Sequence, residues 1–259
     1  MTRTGFTQVG QLGRRSLVRQ LRQPANVVAP VLFPLGLLAV NSGGLQPATH
    51  LRGFPTDKFV AFALAIPFIQ GALFATMNAG TDLARDIETG FLNRLALTPL
   101  RGAWLIAGQL AGVAAAALLQ AIVYVGVGFA VGVHPAAGPA GVAVLLLLAV
   151  VIAVAFGAVG AFMALRTGSG EAIQGLFPVL FVFLIISSMN LPRNLIEADW
   201  FRALATANPV SYMIEGIRSL IIQGWDVQAL ALAFALAAAV GIVALSAAAA
   251  SLPTRLTRT

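Results

Sequence analysis

The chain has 259 residues, 59% hydrophobic and 10% charged, with no cysteine and a formal net charge of +7. An ordinary soluble domain is about one quarter charged, so this composition belongs to the membrane class and leaves no room for disulfide, thiolate or cysteine-metal chemistry. The positive charge does not read as a nucleic-acid surface, because the arginines are dispersed between apolar runs and not gathered on one soluble face.

Residues 1–23 carry Arg14, Arg15, Arg19 and Arg22 with Phe6, Val9, Leu12, Leu17 and Leu21 at a spacing of three to four. That pattern predicts an amphipathic helix on a membrane surface. Pro24 separates it from the remainder, 24–259, where six apolar runs stand at 25–40, 58–77, 103–133, 140–165, 176–191 and 227–250. Each is near the roughly 20 residues that a helix needs to cross a bilayer. A positive segment before an apolar run also fits a secretory signal, but no small-residue cleavage site follows, and five further runs commit the chain to the membrane. The expected fold class is all-α and polytopic, with six transmembrane helices behind an N-terminal interfacial helix.

Six crossings place both termini on one side. Segments on that side hold Arg3, Arg14, Arg15, Arg19, Arg22, Arg85, Arg94, Arg101, Arg166, Arg255 and Arg258, against Arg52, Lys58, Arg193, Arg202 and Arg218 on the other. The excess of positive charge puts both termini in the cytoplasm.

The loop after the second run, 82–102, is a charged island holding Asp82, Arg85, Asp86, Glu88, Arg94 and Arg101. On a helix Arg85 and Glu88 pair at three residues, and Asp82 and Asp86 share a face at four. Gly90 breaks that helix, and Phe91, Leu92, Leu95 and Leu97 form apolar knobs before Pro99 stops the run. Charges beside exposed apolar knobs make a docking surface for a cytoplasmic partner. Within the runs, small residues recur at four-residue spacing: Gly71, Ala75 and Ala79; Gly108, Gly112 and Ala116; Ala153, Gly157 and Ala161. In so alanine-rich a chain these read as general close packing of helices.

The segment 192–226 is too long for a turn. Asn208 suits a helix N-cap, Pro209 the first turn and Gly224 the end, while Val210, Ile214, Ile217 and Ile221 form an apolar stripe. Glu215 and Arg218 pair at three residues, and Trp200, Tyr212 and Trp225 are the aromatic types of a lipid interface. These features predict helices lying at, or dipping into, the outer membrane face.

No phosphate-binding loop exists, and the sole lysine, Lys58, follows Thr56 and Asp57. Nor is there a zinc-protease helix, a nucleophile elbow or a His/Asp/Glu metal cluster, and His50 and His134 read as solvated loop residues. The chain is expected to be no enzyme by itself and to hold no metal or cofactor of its own. The centres of the six runs lack ionisable residues, which weighs against an ion-coupled carrier. Uncharged polar residues remain, among them Gln70, Asn78, Gln120, Tyr124, Ser187, Ser188 and Asn190; each reads first as a helix-to-helix hydrogen bond or a span end, and second as a candidate for a substrate path.

The run Asp86-Ile-Glu88-Thr-Gly90-Phe91-Leu-Asn-Arg94-Leu-Ala-Leu-Thr98-Pro99-Leu-Arg101 resembles the cytoplasmic loop of type-two ABC export permeases, particularly the daunorubicin-resistance-type membrane subunits. The run Asn208-Pro209-Val-Ser-Tyr212-Met-Ile-Glu215-Gly-Ile-Arg218, followed by Gly224, is similar to that family's outer segment, and the likeness extends over nearly the whole chain. The resemblance implies a multi-pass permease of a bacterial inner membrane that exports a hydrophobic or amphipathic compound such as a drug, antibiotic or lipid-like molecule. It implies a second permease chain, identical or not, and two separate ATP-binding-cassette subunits that hold the ATP and magnesium. Asp86, Glu88, Gly90, Phe91, Arg94, Thr98 and Pro99 would couple to those subunits, and the helices bearing Asn208, Pro209, Tyr212, Glu215, Arg218 and Gly224 would cap the exit. Gly90-Phe91 stands where many relatives read Gly-Thr, which fits the drug-export branch. The alternative is a non-transporting assembly or immunity-type membrane subunit that docks the same kind of partner.

Overall fold

The computed structural model describes residues 24–90 and 102–256, together with Gly10, Gln11, Gly13, Arg14 and Val18. Most of the N-terminal helix expected over 1–23 therefore lies outside the described residues. The apolar runs all become helix, in the order α1 Pro24–Gly44, α2 Phe59–Ala63, α3 Ile66–Glu88, α4 Gly102–Ala130, α5 Gly138–Thr167, α6 Gly170–Ile185, α7 Asp199–Ala207, α8 Pro209–Arg218 and α9 Val227–Leu256. Five stretches, Val27–Gly44, Phe59–Glu88, Ile106–Ala130, Gly138–Thr167 and Val227–Leu252, are long and apolar enough to cross a membrane, and Gly170–Ile185 is a shorter apolar helix. The protein is a polytopic, all-helical membrane protein.

The last run, expected to end at 250, continues to Leu256, and two others end away from their expected positions for reasons the structure shows. The second, expected over 58–77, continues as helix through the first charged residues to Glu88 and stops where Gly90 takes φ +67°, a left-handed conformation that costs glycine nothing. It is also broken at its start: a turn at Leu64–Ala65 separates α2 from α3, and Pro67 leaves the carbonyl of Ala63 without its helical donor. The fifth run, expected over 176–191, forms its helix earlier in the chain, starting at Gly170 and closing at Ile185. Its 16 residues reach about 24 Å, short of the roughly 30 Å hydrocarbon core. Ser169 caps its start, accepting from Ala172 N at 3.4 Å, and its last carbonyls are taken by the Ser187 hydroxyl just beyond it and by the Asn208 amide from the hairpin.

The α2–α3 stretch is the axis of the packing: most of Phe59–Glu88 is buried, whereas little of Val27–Gly44 is. A helix so enclosed needs small residues on the partner, and Gly160 of α5 supplies the closest approach. A Cβ on Gly160 would lie 2.1 Å from the Thr76 carbonyl oxygen. The Thr76 hydroxyl then reaches the Phe156 carbonyl at 2.9 Å. Gly160 falls outside the expected small-residue stripe of α5, although Ala153, Gly157 and Ala161 are buried with it. Phe33 of α1, Phe74 of α3, and Phe177 and Phe181 of α6 form a ladder of rings with centroids 5.5–6.3 Å apart, tying the short helix to the axis.

Candidate functional site

Two ends of the molecule hold the residues that the sequence singles out. At the first, α3 runs out. Asp82 and Asp86 share a face, as their spacing requires, and that face is buried; Arg85 and Glu88 are exposed. Among the described residues no ion pair joins Arg85 to Glu88. Glu88 instead reaches another loop: its Oε1 accepts a hydrogen bond from Gly170 N at 3.2 Å, at the first turn of α6. A carboxylate there satisfies an amide that the helix cannot, and faces the positive end of its dipole. The end of α3 is thereby fastened to the start of α6. Phe91, Arg94, Thr98 and Pro99 lie outside the described residues.

At the opposite end α7 and α8 form a hairpin whose tip is Ala207–Asn208. Asn208 caps α8, accepting from Val210 N at 2.9 Å, and Gly224 closes the segment at φ +98° after a wide turn at Ser219–Gln223. The Asn208 amide nitrogen also donates to the carbonyls of Phe183 and Ile186, both at 2.5 Å, so one side chain starts α8 and finishes α6. The tip of the hairpin is therefore seated on the end of α6, a helix shorter than the hydrocarbon core. The next residues extend the tie. Ser188 N donates to the Ser211 hydroxyl at 3.1 Å, and the Ser188 hydroxyl to the Ser211 carbonyl at 3.4 Å.

Arg218 and Glu215 do not pair as their three-residue spacing suggests. Arg218 is buried and donates to three carbonyls: Phe62 at 3.1 Å, beside the α2–α3 break, and Ser188 and Met189 at 3.0 Å, beyond the end of α6. Its guanidinium lies 3.4 Å from the centre of the Phe62 ring. Glu215 takes Arg193 instead, in a two-pronged pair with contacts of 2.8 and 2.6 Å. Partial burial disfavours the charge on Arg193, but the Glu215 carboxylate outweighs it and holds the guanidinium above the ordinary arginine range. The Arg193 guanidinium also stands 4.3 Å from the centre of the Tyr212 ring, and the Tyr212 hydroxyl donates to the Thr206 carbonyl at 2.9 Å. Trp200 and Trp225 are 68% and 55% exposed at this end, as membrane-interface aromatics are.

The uncharged polar residues divide. Tyr124 donates to the Pro30 carbonyl, which Pro34, four residues on, cannot serve. Ser187 donates to the Leu184 carbonyl. Gln120 and Tyr124 face Gly71 across a small space of about 10 Å³. Gln70 is buried with both amide atoms lacking a partner, and the Asn190 side-chain oxygen is likewise buried and unpartnered. Asn78 is half-buried on α3. The structure therefore gathers Gln120 with Tyr124, and Ser187, Ser188 and Asn190 near the hairpin, but it does not align all of them along one path. Sequence reasoning missed Gln109, Arg193, Ser211 and Thr76. Gln109 is buried and donates to the Ala79 carbonyl at 2.5 Å. A glutamine in an apolar run was a signal for it; nothing local marks Arg193 as the partner of Glu215.

A polar pocket of about 540 Å³ opens above the hairpin, with Arg193, Arg202, Arg218, Glu215 and Asp226 in its walls. An apolar groove of about 540 Å³ lies on the other side of Tyr212, between α5, α8 and α9. Among the described residues no three His, Asp or Glu side chains gather as a metal site; His134 packs against Phe129 at 5.7 Å between ring centres.

Residues 7–222 match the family model described as ABC-2 type transporter. A putative transport permease, ycf38, of Porphyra purpurea is 29% identical over 215 residues, covering 82% of this chain and 72% of the relative. The daunorubicin resistance ABC transporter permease protein DrrB1 of Streptomyces coeruleorubidus is 25% identical, covering 76% of this chain and 69% of the relative. The probable doxorubicin resistance ABC transporter permease protein DrrC of Mycobacterium tuberculosis is 25% identical with the same coverage.

Proposed function

This chain belongs to the ABC-2 type transporter family, and on that premise we propose that it is the membrane permease of an ATP-driven exporter for hydrophobic or amphipathic compounds. It works with two ATP-binding subunits and a second permease chain, in a bacterial inner membrane with both termini in the cytoplasm. The ATP and magnesium belong to the partner subunits, against which this chain sets the segment around Glu88, Gly90, Phe91, Arg94, Thr98 and Pro99. Two relatives named for daunorubicin and doxorubicin resistance favour flat, amphipathic drugs as the compounds moved.

The observation that carries this reading is α6, which is fastened at both ends. Glu88 holds its start beside the coupling segment, and Asn208 holds its finish at the tip of the hairpin. Pro178 interrupts the backbone bonds of this 16-residue helix, but the stacked rings of Phe177 and Phe181 beside Phe74 hold it as one element, so a push on the coupling segment arrives at the hairpin through contacts already made. The rigid-body rocking of such an element between two packed positions is a familiar way of moving a gate.

The test is co-expression with a candidate ATP-binding subunit encoded beside it, followed by co-purification and uptake of doxorubicin into inverted membrane vesicles. ATP-dependent uptake that is lost when Glu88 and Arg94 are both changed to alanine supports the reading. Co-purification with no ATP-dependent movement and no drug-stimulated hydrolysis would instead identify a non-transporting docking subunit.

A further inference from the structure

The apolar groove and the polar pocket are neighbours separated by a thin wall. Thr206 lines the pocket and Ala207 the groove; Arg193 lines the pocket and stacks on Tyr212, which lines the groove. The seam between α8 and α9 runs past both. Ala229 of α9 borders the pocket, Leu236 borders the groove, and between them Gly216 meets Ala233 so closely that a Cβ on the glycine would fall 2.4 Å from that of the alanine. Two contacts therefore close the passage: Gly216 against Ala233 on one side, and the Arg193–Tyr212–Thr206 group on the other.

The groove is a hollow because α9 offers small side chains there. Ala239, Ala244 and Ala247 face Val159 and Phe162 of α5. The one hydroxyl on its wall, that of Tyr212, is already bonded to the Thr206 carbonyl. Its occupant needs no charge at this level, and its volume lies within the range that holds a drug-sized molecule. The flank is open to lipid, since Ile242 and Val243 are 64% and 69% exposed. A second copy of the chain laid here would meet an apolar hollow and gain nothing from the charged pocket that continues it. An amphiphile matches both, with an apolar body for the groove and a polar head for a pocket walled by three arginines and two carboxylates.

We propose that the α8–α9 seam is a binding site for membrane amphiphiles, which lodge their apolar body in the groove under the hairpin and pass their head into the pocket when the Arg193–Glu215 pair lets Tyr212 move. The binding half stands on the geometry alone; the passage half rests on the permease reading above. Ala239, Ala244 and Ala247 set the size of the body accepted, and the Arg193–Glu215 pair acts as a latch.

The experiment uses the full chain in lipid nanodiscs with phosphatidylglycerol carrying a photoactivatable diazirine in one acyl chain, and maps the adducts by mass spectrometry. Saturable labelling of Phe162, Val240 and Val243, competed by unlabelled phosphatidylglycerol, is expected, whereas Leu119 and Ile122 on the exposed face of α4 label without saturation. Filling the groove with Ala244→Trp lowers groove labelling about tenfold, or about 1.4 kcal/mol, and leaves α4 unchanged; the milder Ala247→Leu serves if the larger change disturbs folding. With the diazirine on the head, Glu215→Arg brings labelling to Gln223 and the double exchange with Arg193→Glu removes it. Groove labelling that saturates no better than α4, labelling indifferent to both fillings, or cross-links to a second copy at the groove overturns the site. Lost labelling with doxorubicin uptake unchanged overturns the passage half while the permease reading stands; labelling without any ATP-driven uptake overturns the permease reading and the passage half while the site stands.

Discussion

The Asn208 side chain makes three hydrogen bonds, and only one of them is legible in the sequence. Asn-Pro before an apolar stripe announces an N-cap; that its amide also ends α6 depends on a helix more than 20 residues away. The two roles separate by substitution. Asn208→Asp keeps the oxygen that caps α8 but turns a second oxygen on the carbonyls of Phe183 and Ile186. Asn208→Asp is therefore expected to be no more stable than Asn208→Ala, although aspartate is as good a cap as asparagine and a lost cap alone costs about 1 kcal/mol. Thermal unfolding in detergent reads this, and an aspartate variant as stable as the native protein would show that the α6 contacts add nothing. Arg218 follows the same logic. Local spacing pairs it with Glu215, but three carbonyls left over by broken or ended helices claim it, and a guanidinium spreads its donors widely enough to serve all three. Arg218→Met leaves those carbonyls bare at an expected cost of at least about 3 kcal/mol, and Arg218→Lys, with one compact head, restores only part. Equal melting temperatures for Arg218→Met and the native protein would rule this role out.

At the level of elements, hydropathy located every apolar helix, because about 20 apolar residues in a row have few other fates. Where the helices stop was less visible. The end of α6 depends on a side chain brought from the hairpin, and the length of α3 on Gly90 lying within the charged island and not at its start, so that charge alone did not mark a boundary. Prolines show how elements correct one another. Pro34 deprives the Pro30 carbonyl of its donor, and Tyr124 from α4 supplies one across the helix pair. Tyr124→Phe should cost about 1–2 kcal/mol in the native chain and nearly nothing when Pro34→Ala has already restored the backbone bond. A double-mutant cycle measures the coupling, and equal costs in both backgrounds would place the tyrosine's contribution in packing instead. The same bond explains why a buried polar residue in an apolar run was a poor guide to a substrate path: its partner was a carbonyl that only a proline elsewhere in the chain had freed.

Across the whole molecule the arrangement is, on the proposed transport reading, a lever. The axis formed by α2 and α3 is held by the closest packing in the described chain, and α6 stands beside it, joined by a ladder of phenylalanine rings and tied at each end by one polar side chain. Neither tie is visible as a motif, since Glu88 and Gly170 lie 82 residues apart and a carboxylate at a helix start is common. The tie gives two variants of Glu88 different fates. Glu88→Gln keeps an oxygen for the Gly170 amide and loses only the charge, so it should retain most of the coupling. Glu88→Ala releases α6, leaving hydrolysis by the partner subunits in place while drug uptake falls about three- to tenfold, the effect of one charge-assisted hydrogen bond. A cysteine introduced by Gln223→Cys, above the hairpin, reports the motion: its rate of thiol labelling should change on ATP addition in the native background and in Glu88→Gln, and should stay constant in Glu88→Ala. Should all three backgrounds respond alike, force reaches the hairpin by another helix, and the direct hold of α3 and α5 on the α8–α9 seam becomes the route to examine.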